Sequence, residues 1–207
     1  MASHKLRPIE LVLLAVLALV LASGGAALRT QERLADRVVR LHVLANSDMP
    51  EDQALKLRVR DAVLERATSL LEEAQDRQEA EELLRRSLPE LEELARGVIR
   101  AEGYSYSAAA ELRQTEFPTK AYQGFSLPAG RYLALRVVIG RGGGQNWWCV
   151  VFPSLCTIAA EGPSETVLEE TFSPEELRLI TEEEPAYELR FRVVELWETL
   201  RQRLEGE

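Results

Sequence analysis

Apolar residues are distributed along the chain in runs of three kinds, and each predicts a different element. The first run is continuous. Leu11 to Ala22 (LVLLAVLALVLA) contains no polar residue, is preceded by Lys5 and Arg7, and is followed by the small residues Ser23-Gly24-Gly25-Ala26-Ala27. A basic start, a short aliphatic run and a small-residue exit describe a secretory signal, with Gly25-Ala26-Ala27 as an A-x-A-like cleavage site. Counting from Ile9 to Leu28 gives about the 20 residues a helix needs to cross a bilayer, so an uncleaved anchor is the rival reading. The basic flank and the lack of a polar stripe argue against a helix of a soluble core. Residues 1–28 are therefore expected to form a signal peptide or a membrane anchor.

The second kind of run is short and rich in β-branched residues. Val38-Val39-Arg40-Leu41-His42-Val43-Leu44 suits a strand buried mainly on one face. Asn46-Ser47-Asp48 ends it with side-chain oxygens suited to a turn or a helix N-cap. Helical spacing follows. Pro50, Glu51 and Asp52 fit a first turn, and Leu55, Val59, Ala62, Val63, Ala67, Leu70 and Leu71 fall on one face. Glu72 to Glu82 is a charged, helix-favouring stretch containing a short connection. Ser87-Leu88-Pro89-Glu90 has the form of a capping box, and the stripe Leu91, Leu94, Ala95, Val98 continues to a stop at Gly103.

Beyond Gly103 the pattern turns extended. Tyr104 to Ser107 and Glu111 to Thr115 read as extended chain, and turn-rich breaks occur at Phe117-Pro118-Thr119 and Gly124 to Gly130. Arg131 to Ile139 alternates and then becomes continuously apolar, as a central strand does. Trp147 to Phe152 is the next strand, and Gly140 to Gly144 reads as the loop of a long hairpin joining the two, stopped by Pro153. Ser173-Pro174-Glu175-Glu176 is a further capped helix start, and Val193, Leu196, Trp197 and Leu200 give Leu189 to Leu204 an amphipathic helix. No repeat is visible. These elements predict an α+β fold, with helices packed on one face of a mostly antiparallel sheet and a signal or anchor helix in front. The expected division is a leader over 1–28, an α+β domain over 35–160, and a linker with an amphipathic helix over 161–207 that packs on the domain or extends from it.

Composition narrows the classes. The chain has 207 residues, 46% hydrophobic and 29% charged, which supports a sizeable core and excludes a disordered acidic tail. A mean hydropathy of -0.16 excludes a polytopic membrane protein. The net charge is -9, with no dense Lys/Arg block, against a nucleic-acid binder. Within the leader Lys5 and Arg7 outweigh Glu10, so the acidity belongs to the body.

Candidate chemistry is sparse. Gly140 to Gly144 lacks the Lys and Ser/Thr of a phosphate loop and does not open a helix, so it reads as a plain loop. With His4 and His42 as the only histidines and no Cys-x-x-Cys, no metal site and no cofactor are expected. Acidic runs such as Glu72-Glu73 and Glu182-Glu183-Glu184 read as solvated faces. Cys149 and His42 would make a nucleophile and base if their strands paired, with Asn46 or Asp48 to orient the ring. Against this stands a disulfide. In an exported chain Cys149 and Cys156, the only two cysteines, are natural partners across the reversal at Pro153-Ser154, and pairing would remove the thiolate. Both readings stand on sequence alone.

Two segments resemble a known family. Arg40 to Glu65 (RLHVLANSDMPEDQALKLRVRDAVLE) and Gly144 to Cys156 (GQNWWCVVFPSLC) look like the signature blocks of stage II sporulation protein R, and their order, the leader and the length also fit. The resemblance covers about residues 35–160. It implies a non-enzymatic signalling protein of endospore-forming bacteria, made in the forespore and exported into the space between the two membranes. There it would activate a membrane-embedded aspartic protease that processes the sigma E precursor. Such a messenger needs a recognition surface. Trp147 and Trp148 are candidates because exposed Trp supplies large contact area at low entropic cost. Alternation along a strand predicts one of them in the core and the other facing outward. His42, Asn46 and Asp48 are further candidates for receptor contact, set against ordinary turn and capping chemistry. The alternatives from other classes are an exported Cys–His hydrolase using Cys149 and His42, and an anchored structural protein of the envelope.

Overall fold

In a computed structural model of the protein, the structure describes residues 29–155 and 168–181, apart from Thr30, Gln123 and Glu170. The leader, Cys156 and the helix expected over Leu189 to Leu204 lie outside the described residues. Among those described, no helix is long and apolar enough to cross a membrane.

The chain enters the sheet at β1 (Val39–Leu44), crosses it through helices α1 (Pro50–Leu71) and α2 (Arg77–Ala101), and returns as β2 (Ala108–Phe117). A small hairpin of β3 (Lys120–Tyr122) and β4 (Phe125–Leu127) stands apart from the main sheet. Strands β5 (Gly130–Ile139) and β6 (Asn146–Phe152) complete that sheet, and α3 (Pro174–Thr181) follows. The four strands lie in the order β2-β5-β1-β6, with β1 parallel to β5 and the other two pairings antiparallel. The class is α+β, as the patterning predicts.

Helices α1 and α2 pack on one face of the sheet, where Val59, Val63, Leu84 and Leu91 meet Leu41, Leu135 and Val137. All seven are fully buried, and burial of each such side chain is worth about 1.5–3 kcal/mol. The opposite face is covered too. Leu34 and Val38, the β3–β4 hairpin through Phe125 and Leu127, and Phe172 and Ile180 close over Tyr132, Ala134 and Val150. Every residue of β1 is consequently buried, including Arg40 and His42, where the sequence predicts a strand buried mainly on one face.

Helix α2 begins earlier than its sequence suggests. Asp76 is its N-cap, accepting from the Glu79 amide at 2.9 Å, while the Glu79 carboxylate accepts from the Gln75 amide at 2.9 Å. The Ser87–Glu90 capping signal therefore falls mid-helix, with Pro89 inside it. Ala80 and Leu84 before the proline and Leu91 and Ala95 after it lie on one buried stripe, which carries the helix through the break. The predicted stop holds. Gly103 takes φ +82, its amide donates to Arg100 and the Tyr104 amide donates to Ile99, closing the helix in a Schellman turn.

The expected β5–β6 hairpin is not formed, because β1 lies between the two strands. The glycine run instead carries the chain over the C-terminal end of β1. The amides of Gly143 and Gly144 donate to the carbonyls of Asn46 (3.2 Å) and Ala45 (3.0 Å). A Cβ on Gly144 would collide with the Ser47 carbonyl, and one on Gly140 with the Asn46 amide group. The loop reading of Gly140 to Gly144 stands, and close backbone crossing is the reason for its composition.

Candidate functional site

Where the glycine loop crosses β1, the two distinctive segments are tied together by side chains. The Asn46 amide donates to Asp52 at 2.8 Å, and its oxygen accepts from the Arg141 backbone at 3.1 Å. Ser47 Oγ donates to the same Asp52 oxygen at 2.6 Å and accepts from the Met49 amide at 3.2 Å. Asp48 accepts from the Gln145 amide at 2.7 Å. Lys56 Nζ donates to the Gln145 carbonyl at 3.1 Å and to Gln53 at 2.6 Å. The side chains of Asn46 and Asp48 are thus engaged in turn chemistry. The N-cap of α1 is Met49, which has no side-chain cap, rather than one of the three preceding oxygens.

Asp52 and Lys56 carry this knot, where the sequence predicts for Asp52 only a first-turn acid and for Lys56 no role. Hydrogen bonding by Ser47, with Asn46 adding to it, holds the Asp52 carboxyl below the usual range despite burial. Burial, reinforced by Arg60, lowers Lys56 from its ordinary value while Asp48 opposes that. Their signal is an acid and a base four residues apart on the otherwise apolar face of the first two turns of α1.

The β1–β6 register separates the hydrolase candidates. His42 stands opposite Trp148 and Leu41 opposite Cys149, so His42 and Cys149 project from opposite faces. Cys149 is buried in the cluster under α1 and α2, whereas His42 packs against Phe117 and Trp148 on the other side. The strands pair, as a Cys–His site requires, but one residue out of register for it. No free cysteine occurs among the described residues.

His42 is 7% exposed, and its Nε2 lies 2.7 Å from Asn146 Oδ1. An amide oxygen there places the ring proton on Nε2 and leaves Nδ1 buried without a partner. Burial lowers the pKa of His42 below 6.5, the hydrogen bond to Asn146 opposes this, and Arg136 and Arg40 add to the lowering.

Both tryptophans are half-buried, one on each face, in place of the predicted inward and outward pair. Trp147 packs against the helix-side cluster with the Arg60 guanidinium 4.7 Å from its ring centre. Trp148 packs on the other face, with Lys120 Nζ 5.8 Å from its ring centre, and its buried Nε1 has no acceptor. Each is half-buried because both faces of β6 are covered, one by α1 and the other by Phe117 and the hairpin.

Arg40 is the most unusual residue of this face. It is 0% exposed, its guanidinium lies 4.0 Å from the Phe117 ring centre and 4.9 Å from that of Tyr132, and Nη2 donates to the Tyr122 hydroxyl at 2.6 Å. Its Nε and Nη1 have no hydrogen-bond partner. Aromatic faces offset part of the cost of a buried cation. The sequence showed only a charge inside a β-branched run.

Residues 35–162, spanning β1 to β6 and both segments tied at the crossing, match the family model described as stage II sporulation protein R. The chain belongs to the stage II sporulation protein R family. It is also similar to "Stage II sporulation protein R" of Bacillus subtilis (strain 168), 40% identical over 121 residues. That alignment covers 58% of this chain and 54% of the relative, so the chain spans about half the length of the curated protein it matches. No solved structure matches. The family region holds the polar knot, the paired tryptophans and the Arg40 cage, while α3 lies beyond it.

Proposed function

We propose that the protein is an exported, non-enzymatic signal that activates a membrane-embedded aspartic protease and so leads to processing of the sigma E precursor during endospore formation. The family match over residues 35–162 is the observation that carries this reading. The leader supports export into the space between forespore and mother-cell membranes, as a cleaved signal or a retained anchor. The opposed faces of His42 and Cys149 weigh against the hydrolase. The absence of a free cysteine among the described residues, in a chain with two cysteines, supports a Cys149–Cys156 bridge.

Export is tested by deleting residues 8–22. The shortened chain should accumulate in the cytoplasm and no longer signal across a membrane, and N-terminal sequencing of exported wild type reports cleavage near Ala27. A cytosolic full-length chain that still signals would contradict export. The bridge is tested by alkylation and mass spectrometry without reduction. Two freely alkylated thiols in exported protein would refute it, and its short loop limits the expected stabilisation to about 2–3 kcal/mol.

A further inference from the structure

The sheet face that carries Trp148 has a charge opposite to that of the molecule. Register places Arg40 and His42 of β1, Arg136 of β5, Arg113 and Glu111 of β2, and Trp148 of β6 on this face, remote from α1 and α2. Lys120 of the hairpin reaches over Trp148. Glu111 is the only acid among the strand positions of this face, and it accepts from Arg136 at 2.6 Å while Arg113 lies 3.7 Å away. Arg40, Arg113, Lys120 and Arg136 therefore outnumber their one carboxylate in a protein of net charge -9.

Hydrogen bonding points the same way. Trp148 Nε1 and Arg40 Nε and Nη1 are buried donors with no acceptor. Such groups are costly unless compensated, and a carboxylate, which only accepts and carries negative charge, is the side-chain group suited to sit above them. Arg113 and Lys120 are exposed and Trp148 is half-buried, so the patch has an approach from solvent. Its cations stand singly on neighbouring strands and on the hairpin. That suits carboxylates spaced along a chain better than one compact anion.

We propose that this face is a docking surface for an acidic polypeptide segment of the partner protein, with the exposed Arg113 and Lys120 beside Trp148 receiving its carboxylates and the buried Arg40 adding its charge from beneath. The proposal rests on the reading above that the protein acts by binding another protein.

The test titrates the full chain with an acetylated hexaglutamate amide while following the indole N–H resonance of Trp148, assigned with Trp148→Phe. A saturable shift is expected, with none from hexalysine. An Arg113→Gln/Lys120→Gln variant, changed at two exposed positions, should bind at least about threefold more weakly. Absence of a saturable shift, equal affinity in the double variant, or equally tight saturation by acetate or inorganic phosphate at matched ionic strength would overturn the proposal. Precursor processing supplies the second arm. Wild type and double variant signalling equally would overturn this surface and leave the messenger reading standing. A wild type that triggers no processing would remove the messenger reading, while the titration still decides whether the surface binds acidic chain.

Discussion

At the residue scale, His42 makes stability depend on pH. Its folded pKa lies below 6.5 because burial disfavours the imidazolium, so the unfolded chain takes up this proton at a higher pH than the native protein. The stabilising contribution is complete above pH 6.5 and is lost as pH falls from there toward the folded pKa. Urea unfolding at pH 7.5 and pH 5.5 should thus show a larger loss for wild type than for His42→Gln, and equal losses would contradict the buried neutral ring. Asn46→Ala removes a donor from Asp52 and an acceptor from the Arg141 amide at once, and should cost about 1–3 kcal/mol. The same unfolding experiment measures it, and an unchanged midpoint would mean that the knot is not structural. A binding protein also predicts that His42→Gln and Cys149→Ser keep substantial signalling once circular dichroism shows them folded. A Cys–His enzyme would lose activity by orders of magnitude with either change.

At the element scale, helix α2 and the glycine crossing make separate predictions. Pro89 deprives α2 of one backbone donor, so Pro89→Ala should stabilise the protein by up to about 3 kcal/mol in chemical denaturation. A destabilised variant would show that the ring itself is needed by the packing. Gly144→Ala forces a methyl group against the rigid Ser47 carbonyl and should cost about 1–3 kcal/mol, with no compensating gain from a less flexible unfolded chain large enough to hide it. These elements also show what could be read locally. The strand at Val39–Leu44, the face of α1, the Gly103 stop and the central character of β5 follow from periodicity and turn chemistry within a few residues. The insertion of β1 between β5 and β6 does not, because strand order is a property of the closed sheet. The burial of Arg40 and His42 was hidden for the same reason: their cover comes from residues remote in sequence, Phe117, the hairpin and the segment around α3. Asn46 and Asp48 were legible as turn formers, and their partners in the Gly140–Gln145 loop were not.

At the scale of the whole molecule, an acidic protein combines one basic, aromatic sheet face with an apolar N-terminal run, the two features that the proposed export and recognition call for. Neither function calls for a reactive centre. The α1–α2 layer supplies the buried support, the crossing at which Asp48 accepts from the Gln145 amide fixes β6 beside β1, and that register sets Trp147 and Trp148 on their two faces. The most direct test of this account is processing of the sigma E precursor in cells that make the protease with or without this chain, its precursor and product resolved by immunoblot. The account predicts that precursor is shortened when the exported chain is present and persists when the chain is omitted or lacks residues 8–22. Equal shortening in all three cells, or none in any of them, would contradict it.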